Sequence, residues 1–159
     1  MLPFLLWMSV DAQAIEPYDH SVSVTLSPIH LLYPIIEATG EFRVGKKAGV
    51  AAIAGFGSID RYSVVEIGGQ GRYYPVGDFD HGLQLGGEVL AVVVSGSGAS
   101  GTGLSIGPFV GYKIAARFGL TFDIQLGVQG YAVGASSGST SASDSALGPL
   151  LNINLGWSF

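Results

Sequence analysis

The sequence contains no cysteine, which excludes a disulfide framework, a cysteine zinc site and a thiol nucleophile. Charge is also scarce, since 12% of the 159 residues are Asp, Glu, Lys or Arg, against roughly 25% in a typical soluble domain. No apolar run approaches the roughly 18 residues of a membrane-spanning helix, and the longest, such as Val89 to Val94, have strand length. The net charge of −5 argues against nucleic acid as a partner.

The residues that are present favour strands. Hydrophobic residues make up 48% of the chain, and the mean hydropathy is +0.45. The 25 glycines disfavour long helices. A membrane-like composition without a helix-length apolar run indicates β-strands that carry apolar side chains at alternate positions. The length fits a single domain.

The first 14 residues, MLPFLLWMSVDAQA, predict a signal peptide, because a short apolar segment precedes an Ala-x-Ala ending at Ala12 and Ala14. Two features depart from the usual pattern: no Lys or Arg precedes the apolar segment, and Asp11 lies close to the cleavage point. The alternative is a buried amino-terminal strand. The expected division is a signal peptide over residues 1–14 and a barrel domain over residues 15–159.

The stretch from Leu147 to Phe159 is the clearest strand in the sequence. Its apolar residues share one parity, and the small or polar residues share the other. The apolar set is Leu147, Pro149, Leu151, Ile153, Leu155, Trp157 and Phe159. A strand that ends on such an exposed aromatic pair suits a lipid-facing surface better than a soluble one.

Eight strands are predicted in all, which gives an all-β, eight-stranded antiparallel up-and-down transmembrane β-barrel. The third strand has mostly small residues, so its parity is ambiguous. The predicted ranges are Ser21–Ser27, Ile35–Val44, Ala48–Gly57, Val64–Val76, Gly82–Val94, Leu104–Ile114, Gly119–Val133 and Leu147–Phe159.

The connections between these strands alternate in length. Short turns are predicted at 45–47, 77–81 and 115–118, and longer links or flexible loops at 28–34, 58–63, 95–103 and 134–146. Outer-membrane barrels have short periplasmic turns and longer outer loops. Aromatic residues form two bands. Near the short turns lie Phe42, Tyr73, Tyr74, Tyr112, Phe118, Trp157 and Phe159, whereas Phe56 and Tyr62 lie near the long links.

One strand face carries no charge, and the other collects the charged and amide side chains. A soluble lipocalin-like barrel would hold the apolar face inside, but the uncharged face, the low total charge and the aromatic bands favour lipid outside. We therefore predict an inner polar network that plugs the barrel, in preference to a proton or solute path. Its members are Glu37, Glu41, Arg43, Glu66, Gln70, Arg72, Glu88, Lys113 and Asp123, with Gln84, Gln125, Gln129, Asn152 and Asn154 on the same face.

The chain resembles the small eight-stranded outer-membrane barrels, such as the OmpA transmembrane domain and OmpX, from about Ser21 to Phe159. Its most specific part is the last strand, where Ile153, Leu155, Trp157 and Phe159 resemble the outer-membrane assembly signal. The resemblance implies a monomer among outer-membrane lipids, inserted by the barrel-assembly machinery of a Gram-negative cell.

Other motifs are weaker. Gly96 to Gly101 fits G-x-G-x-x-G, but a dinucleotide site needs a helix at its last glycine and a strand is predicted there, so no cofactor is expected. Asp78 to His81 reads as a solvated turn, and no metal site is predicted. His30 lies near Ser27 in sequence, and some outer-membrane lipid hydrolases use Ser and His at the lipid-facing rim, which makes His30 a candidate catalytic residue.

Three functions follow from this sequence. The first is an outer-membrane barrel with a structural or interaction role in the envelope and no wide pore. The second is an outer-membrane lipid-modifying enzyme that uses His30. The third is a soluble lipocalin-like binding protein.

Overall fold

The computed structural model describes residues 20–32, 34–96, 98–137 and 140–159. The predicted signal peptide, residues 1–14, lies outside these ranges. The described part of the chain forms eight strands and one short 3-10 helix, His30–Leu32. The strands are β1 (Val22–Leu26), β2 (Ile35–Gly45), β3 (Ala48–Ile59), β4 (Tyr62–Gly77), β5 (His81–Gly96), β6 (Ala99–Ala115), β7 (Leu120–Ser137) and β8 (Thr140–Ser158).

Each strand pairs antiparallel with the next, and β8 pairs with β1 to close the ring. The predicted all-β, eight-stranded up-and-down barrel is confirmed. The chain of paired residues that starts at Val24 and runs through β2 to β7 ends at Leu147 on β8. Val24 itself pairs directly with Trp157, which lies ten residues further along β8. A stagger of this kind tilts the strands and lets a sheet close on itself.

Within the described ranges, no helix is long and apolar enough to cross a bilayer.

The two faces of the strands differ as the alternation predicts. Large apolar side chains such as Ile67, Ile106 and Leu126 lie exposed on the outside, while Gln84, Lys113 and Gln125 lie fully buried inside. The structure also fixes the parity of β3, because Ala51 and Ile53 face inward and Phe56 faces outward. Every member of the predicted inner set is buried or half-buried.

The predicted flexible loops are wrong. β5 extends to Gly96 and β6 begins at Ala99, so most of the 95–103 stretch is strand. β7 and β8 likewise extend to Ser137 and from Thr140, through the 134–146 stretch, and β3 and β4 leave only residues 60–61 between them. Small Ser, Gly and Ala residues give no alternating pattern, but the backbone ladder continues through them because each partner strand is already in register.

The predicted contrast between short turns and longer links therefore holds only for the link between β1 and β2, and it is wrong for the links at 58–63, 95–103 and 134–146. At one end lie Phe159 and the turns at 46–47, 78–80 and 116–119; we call this the closed end. At the opposite, open end, the link 27–34 is the longest described connection, and the other hairpins turn within a few residues.

The asymmetry lies in strand length instead. β1 has 5 residues, whereas β8 has 19. β8 pairs with β1 only from Leu155 to Ser158, so among the described residues its edge from Thr140 to Asn154 has no ladder on the β1 side. The ring of described strands is therefore complete at the closed end, whereas toward the open end the longer strands extend beyond β1.

Candidate functional site: the barrel interior

The centre of the interior is a buried ion cluster. The Arg72 guanidinium lies 2.9 Å from a carboxylate oxygen of Glu41 and 2.9 Å from one of Asp123. Lys113 Nζ lies 2.8 Å from the same Glu41 oxygen. The Tyr74 hydroxyl donates to the other Glu41 oxygen at 2.6 Å. Two cations and two acids thus compensate one another, which buried charges require.

An amide layer lies next to this cluster on the open-end side. Gln70 donates to Glu88 at 2.6 Å and to Gln125 at 3.0 Å. Gln125 in turn donates to Gln84 at 3.1 Å. Asn152 donates to Glu88 at 2.9 Å. Side chains from β4, β5, β7 and β8 therefore meet across the barrel, and an interior of eight strands has room for little more than such side chains.

The turn at 78–80 folds into the closed end rather than into solvent. The Asp78 side chain accepts hydrogen bonds from the backbone N–H groups of Asp80 and His81, which tightens the turn. Phe79 is fully buried, and Lys113 Nζ lies 3.6 Å from its ring centroid. The prediction of a solvated turn here is wrong, because Phe79 gains burial against the cations of the interior.

Arg43 belongs to this turn and not to the central cluster. Its guanidinium lies 3.5 Å from Asp80 Oδ2, while His20 Nδ1 lies 2.9 Å from Asp80 Oδ1. Burial raises the pKa of the Asp80 carboxyl, against the lowering effects of His20 and Arg43. The predicted network thus divides into separate groups along the barrel.

A cavity of about 600 Å³ occupies the open-end half of the interior. Its wall is mostly apolar, with Leu90, Val92 and Val94 from β5 and Val133 from β7, and Glu66 is the acid at its base. Inward-facing residues of β5 thus change from Gln84 and Glu88 to Leu and Val toward the open end. This volume is in the range of small-molecule pockets.

A third group of predicted residues meets beside this cavity. Glu37 on β2 pairs with Gly55 on β3, and Gly55 pairs with Glu66 on β4, so the two acids flank a glycine in one row. His30, from the link, places Nδ1 3.3 Å from a Glu37 oxygen. The Glu37 hydrogen bond raises the pKa of the His30 imidazole, against desolvation, with further help from the charges of Glu37, Glu66 and Glu88.

The contacts of His30 do not form a Ser-His-acid relay. Ser27 Oγ lies 2.9 Å from His30 Nδ1, and the Glu37 carboxylate approaches that same nitrogen. A relay needs the nucleophile on one ring nitrogen and the orienting acid on the other. Ser27 is also buried.

Sequence reasoning missed Tyr74, Phe79, Asp80 and Gly55. The prediction that Tyr74 belongs to an aromatic band is wrong, because its ring is fully buried. Its even parity, shared with Gln70 and Arg72, is the signal that predicts an inward position. Phe79 and Asp80 lie in a turn and have no parity to follow. The predicted assembly-signal residues Leu155, Trp157 and Phe159 lie exposed at the closed end.

No protein-family model, curated protein or solved structure matches this chain.

Proposed function

We propose that this chain is an outer-membrane β-barrel protein with a plugged polar interior, which has a structural or interaction role in the envelope and is not a wide pore. The observation that carries the proposal is the inverted polarity of the barrel. Charged and amide side chains fill the interior between the closed end and the cavity, whereas Ile67, Ile106 and Leu126 are more than half exposed on the outer face. A bilayer is the solvent that such a surface suits.

The outer surface has the further features of a lipid-facing belt. Among the described residues, no strand residue of the outward parity is charged. Outward aromatic residues lie near the closed end at Phe42, Tyr73, Tyr112 and Trp157, and near the open end at Phe56. The prediction that Tyr62 belongs to the open-end band is wrong, because Tyr62 has the inward parity of β4. β4 to β8 have 16 to 19 residues each, more than the roughly 9–11 that a tilted strand needs to cross a bilayer. Their excess length projects beyond the belt at the open end.

A pair of arginine substitutions tests whether the belt contacts lipid. Ile67 lies in the middle of β4 and is 67% exposed, whereas Val44 lies at the closed-end edge of β2 and is 61% exposed. In a bilayer, Ile67→Arg is expected to lower the free energy of unfolding by about 2–4 kcal/mol, and Val44→Arg by about 0–1 kcal/mol. Urea unfolding in phospholipid vesicles measures both values.

A soluble barrel gives the opposite outcome, because exposed substitutions in water usually change stability by less than about 0.5 kcal/mol. Equal tolerance of the two arginines would therefore contradict the proposal. So would a product that fractionates as soluble and migrates identically with and without boiling. The expected product is in the outer-membrane fraction and changes its gel mobility on boiling.

A further inference from the structure

The group of His30, Glu37 and Glu66 has the make-up of a metal site. One ligand atom from each residue can be chosen so that all three lie within 4.8 Å of one another. Two ligand atoms of a tetrahedral zinc ion are about 3.4 Å apart, since each bond is about 2.1 Å long. Side-chain rotations that shorten the longest separation by up to about 1.4 Å would thus bring the three atoms onto one ion.

The backbone of β3 leaves room for the Glu66 carboxylate at Gly55. A Cβ atom at Gly55 would lie 2.8 Å from Glu66 Oε2, closer than real Cβ contacts allow. The glycine between Glu37 and Glu66 therefore lets the Glu66 carboxylate lie over β3, toward Glu37. A side chain at this row position would separate the two acids.

One carboxylate oxygen of Glu66 accepts no hydrogen bond from the described residues. Its residue exposure is 8%, and its buried Oε2 atom has no hydrogen-bond partner among the described residues. A buried carboxylate oxygen without a donor is costly. No Lys or Arg forms an ion pair with Glu37 or Glu66 in the described part of the chain, in contrast to Glu41 with its two cations.

We propose that His30, Glu37 and Glu66 bind a divalent transition-metal ion such as Zn²⁺, through one imidazole nitrogen and one oxygen of each carboxylate. Imidazole and carboxylate are the ligands that zinc takes beside thiolate. Three protein ligands leave a coordination position for water or a ligand atom, as in open zinc sites. The His30 side chain is 24% exposed, so the ion has a path to the site.

The test is a Zn²⁺ titration of the full chain, purified without a polyhistidine tag and refolded in detergent micelles. Isothermal calorimetry measures the affinity and stoichiometry, and Co²⁺ absorption in the visible range reports the ligand geometry. The variants are His30→Gln and Glu66→Gln. Matched controls are His81→Gln, a histidine at the closed end, and Glu88→Gln, a buried acid outside the group.

One Zn²⁺ per chain is expected, with the Kd raised about a hundredfold or more in His30→Gln and Glu66→Gln, beyond the range for loss of an outer-shell partner, and nearly unchanged in the controls. Absence of 1:1 binding by the folded wild type, or unchanged affinity in His30→Gln, would overturn the proposal. His30 lies in the link outside the strands, so this variant decides the matter even where Glu66→Gln does not fold. Zinc binding and membrane insertion are measured separately, and either can fail without the other.

Discussion

Arg72 shows how much of the interior a single parity rule predicts. Its position on β4 shares the inward parity of Glu66 and Gln70, and that is enough to place it inside the barrel. The rule does not say which acids it meets. Glu41 and Asp123 lie 31 and 51 residues away in sequence, and only the register of the closed ring brings them to the same guanidinium.

We expect Arg72→Ala to be strongly destabilising. The substitution leaves Glu41 with Lys113 alone and Asp123 without an ion pair, and breaking a buried pair costs about 3–5 kcal/mol. Guanidinium unfolding in detergent measures the loss. Arg61→Ala in the exposed turn at the open end is the control, expected within about 0.5 kcal/mol of wild type. Similar stability of the two variants would show that the interior pairs do not hold the barrel together.

Neighbouring glycines on β5 face opposite sides and give a second test at this scale. A Cβ at Gly86 would lie 2.5 Å from the Gly71 carbonyl oxygen and would also collide with the buried Phe109 ring. A Cβ at Gly87 would meet only the Gly107 carbonyl oxygen, at 3.8 Å. Gly86→Ala is therefore expected to cost about 1–3 kcal/mol or more, whereas Gly87→Ala is expected to be neutral or to stabilise by up to about 1 kcal/mol.

Guanidinium unfolding in detergent measures the free energy of unfolding of both variants. The two variants carry the same Gly→Ala substitution at adjacent positions, so each is the control for the other. If Gly87→Ala is the more damaging of the two, then the assignment of inner and outer faces on β5 is wrong.

At the scale of elements, the sequence predicts the strands that alternate and fails for those that do not. Leu104 to Ile114 has a clear period of two, and the structure places it in β6. The preceding Ser and Gly residues have no such pattern, yet β6 begins at Ala99. Local composition there favours flexibility, but the partner strands β5 and β7 supply ladder bonds that a single sequence does not show.

A designed disulfide tests whether these extended hairpins are real strands. Ser100 on β6 pairs with Ser136 on β7, and their hydroxyl oxygens lie 3.0 Å apart. Because the chain has no cysteine, a Ser100→Cys/Ser136→Cys variant contains only the introduced pair. We expect rapid oxidation to an intramolecular disulfide, since directly opposed residues lie within disulfide reach. Mass spectrometry after thiol labelling measures the yield.

The control is the Ser100→Cys/Ala132→Cys variant. It keeps the cysteine at position 100 and moves the other one by four residues along the same face of β7. Ala132 pairs with Leu104, about 13 Å along the strand from the Ser136 position, which is beyond disulfide reach. A flexible loop would bring both pairs together at comparable rates. Equal yields would therefore restore the loop prediction for this part of the chain.

At the scale of the molecule, the link between β1 and β2 brings a side chain to the interior acids from outside the strands. Because β1 ends at Leu26, the link carries His30 over the row of Glu37, Gly55 and Glu66. Sequence reasoning paired His30 with the nearby Ser27 and missed this group, since its members come together only through the β2–β3–β4 register. Among the described residues, the short β1 also leaves the β8 edge from Thr140 to Asn154 without a ladder on the β1 side, and in a bilayer such an edge must line a water-filled cavity or be covered.

Closure of the whole barrel depends on the residues that resemble the assembly signal. Ser158 and Trp157 provide two of the four β1–β8 pairs. Phe159 adds backbone bonds to Ser21 and Val22. Deleting residues 157–159 is therefore expected to prevent closure even in purified protein refolded in detergent, where no assembly machinery is present. Boiled and unboiled gel mobility measures folding.

A Trp157→Ala/Phe159→Ala variant keeps the backbone bonds and removes only the aromatic side chains. We expect it to fold in detergent, because the β1–β8 ladder needs no side chain. In cells it is expected to accumulate in the periplasm, if the aromatic residues act as the assembly signal that the resemblance implies. A double variant that assembles normally would assign these residues to closure alone, whereas one that fails in detergent would show that the packing of Trp157 against Phe118 is itself required for the fold.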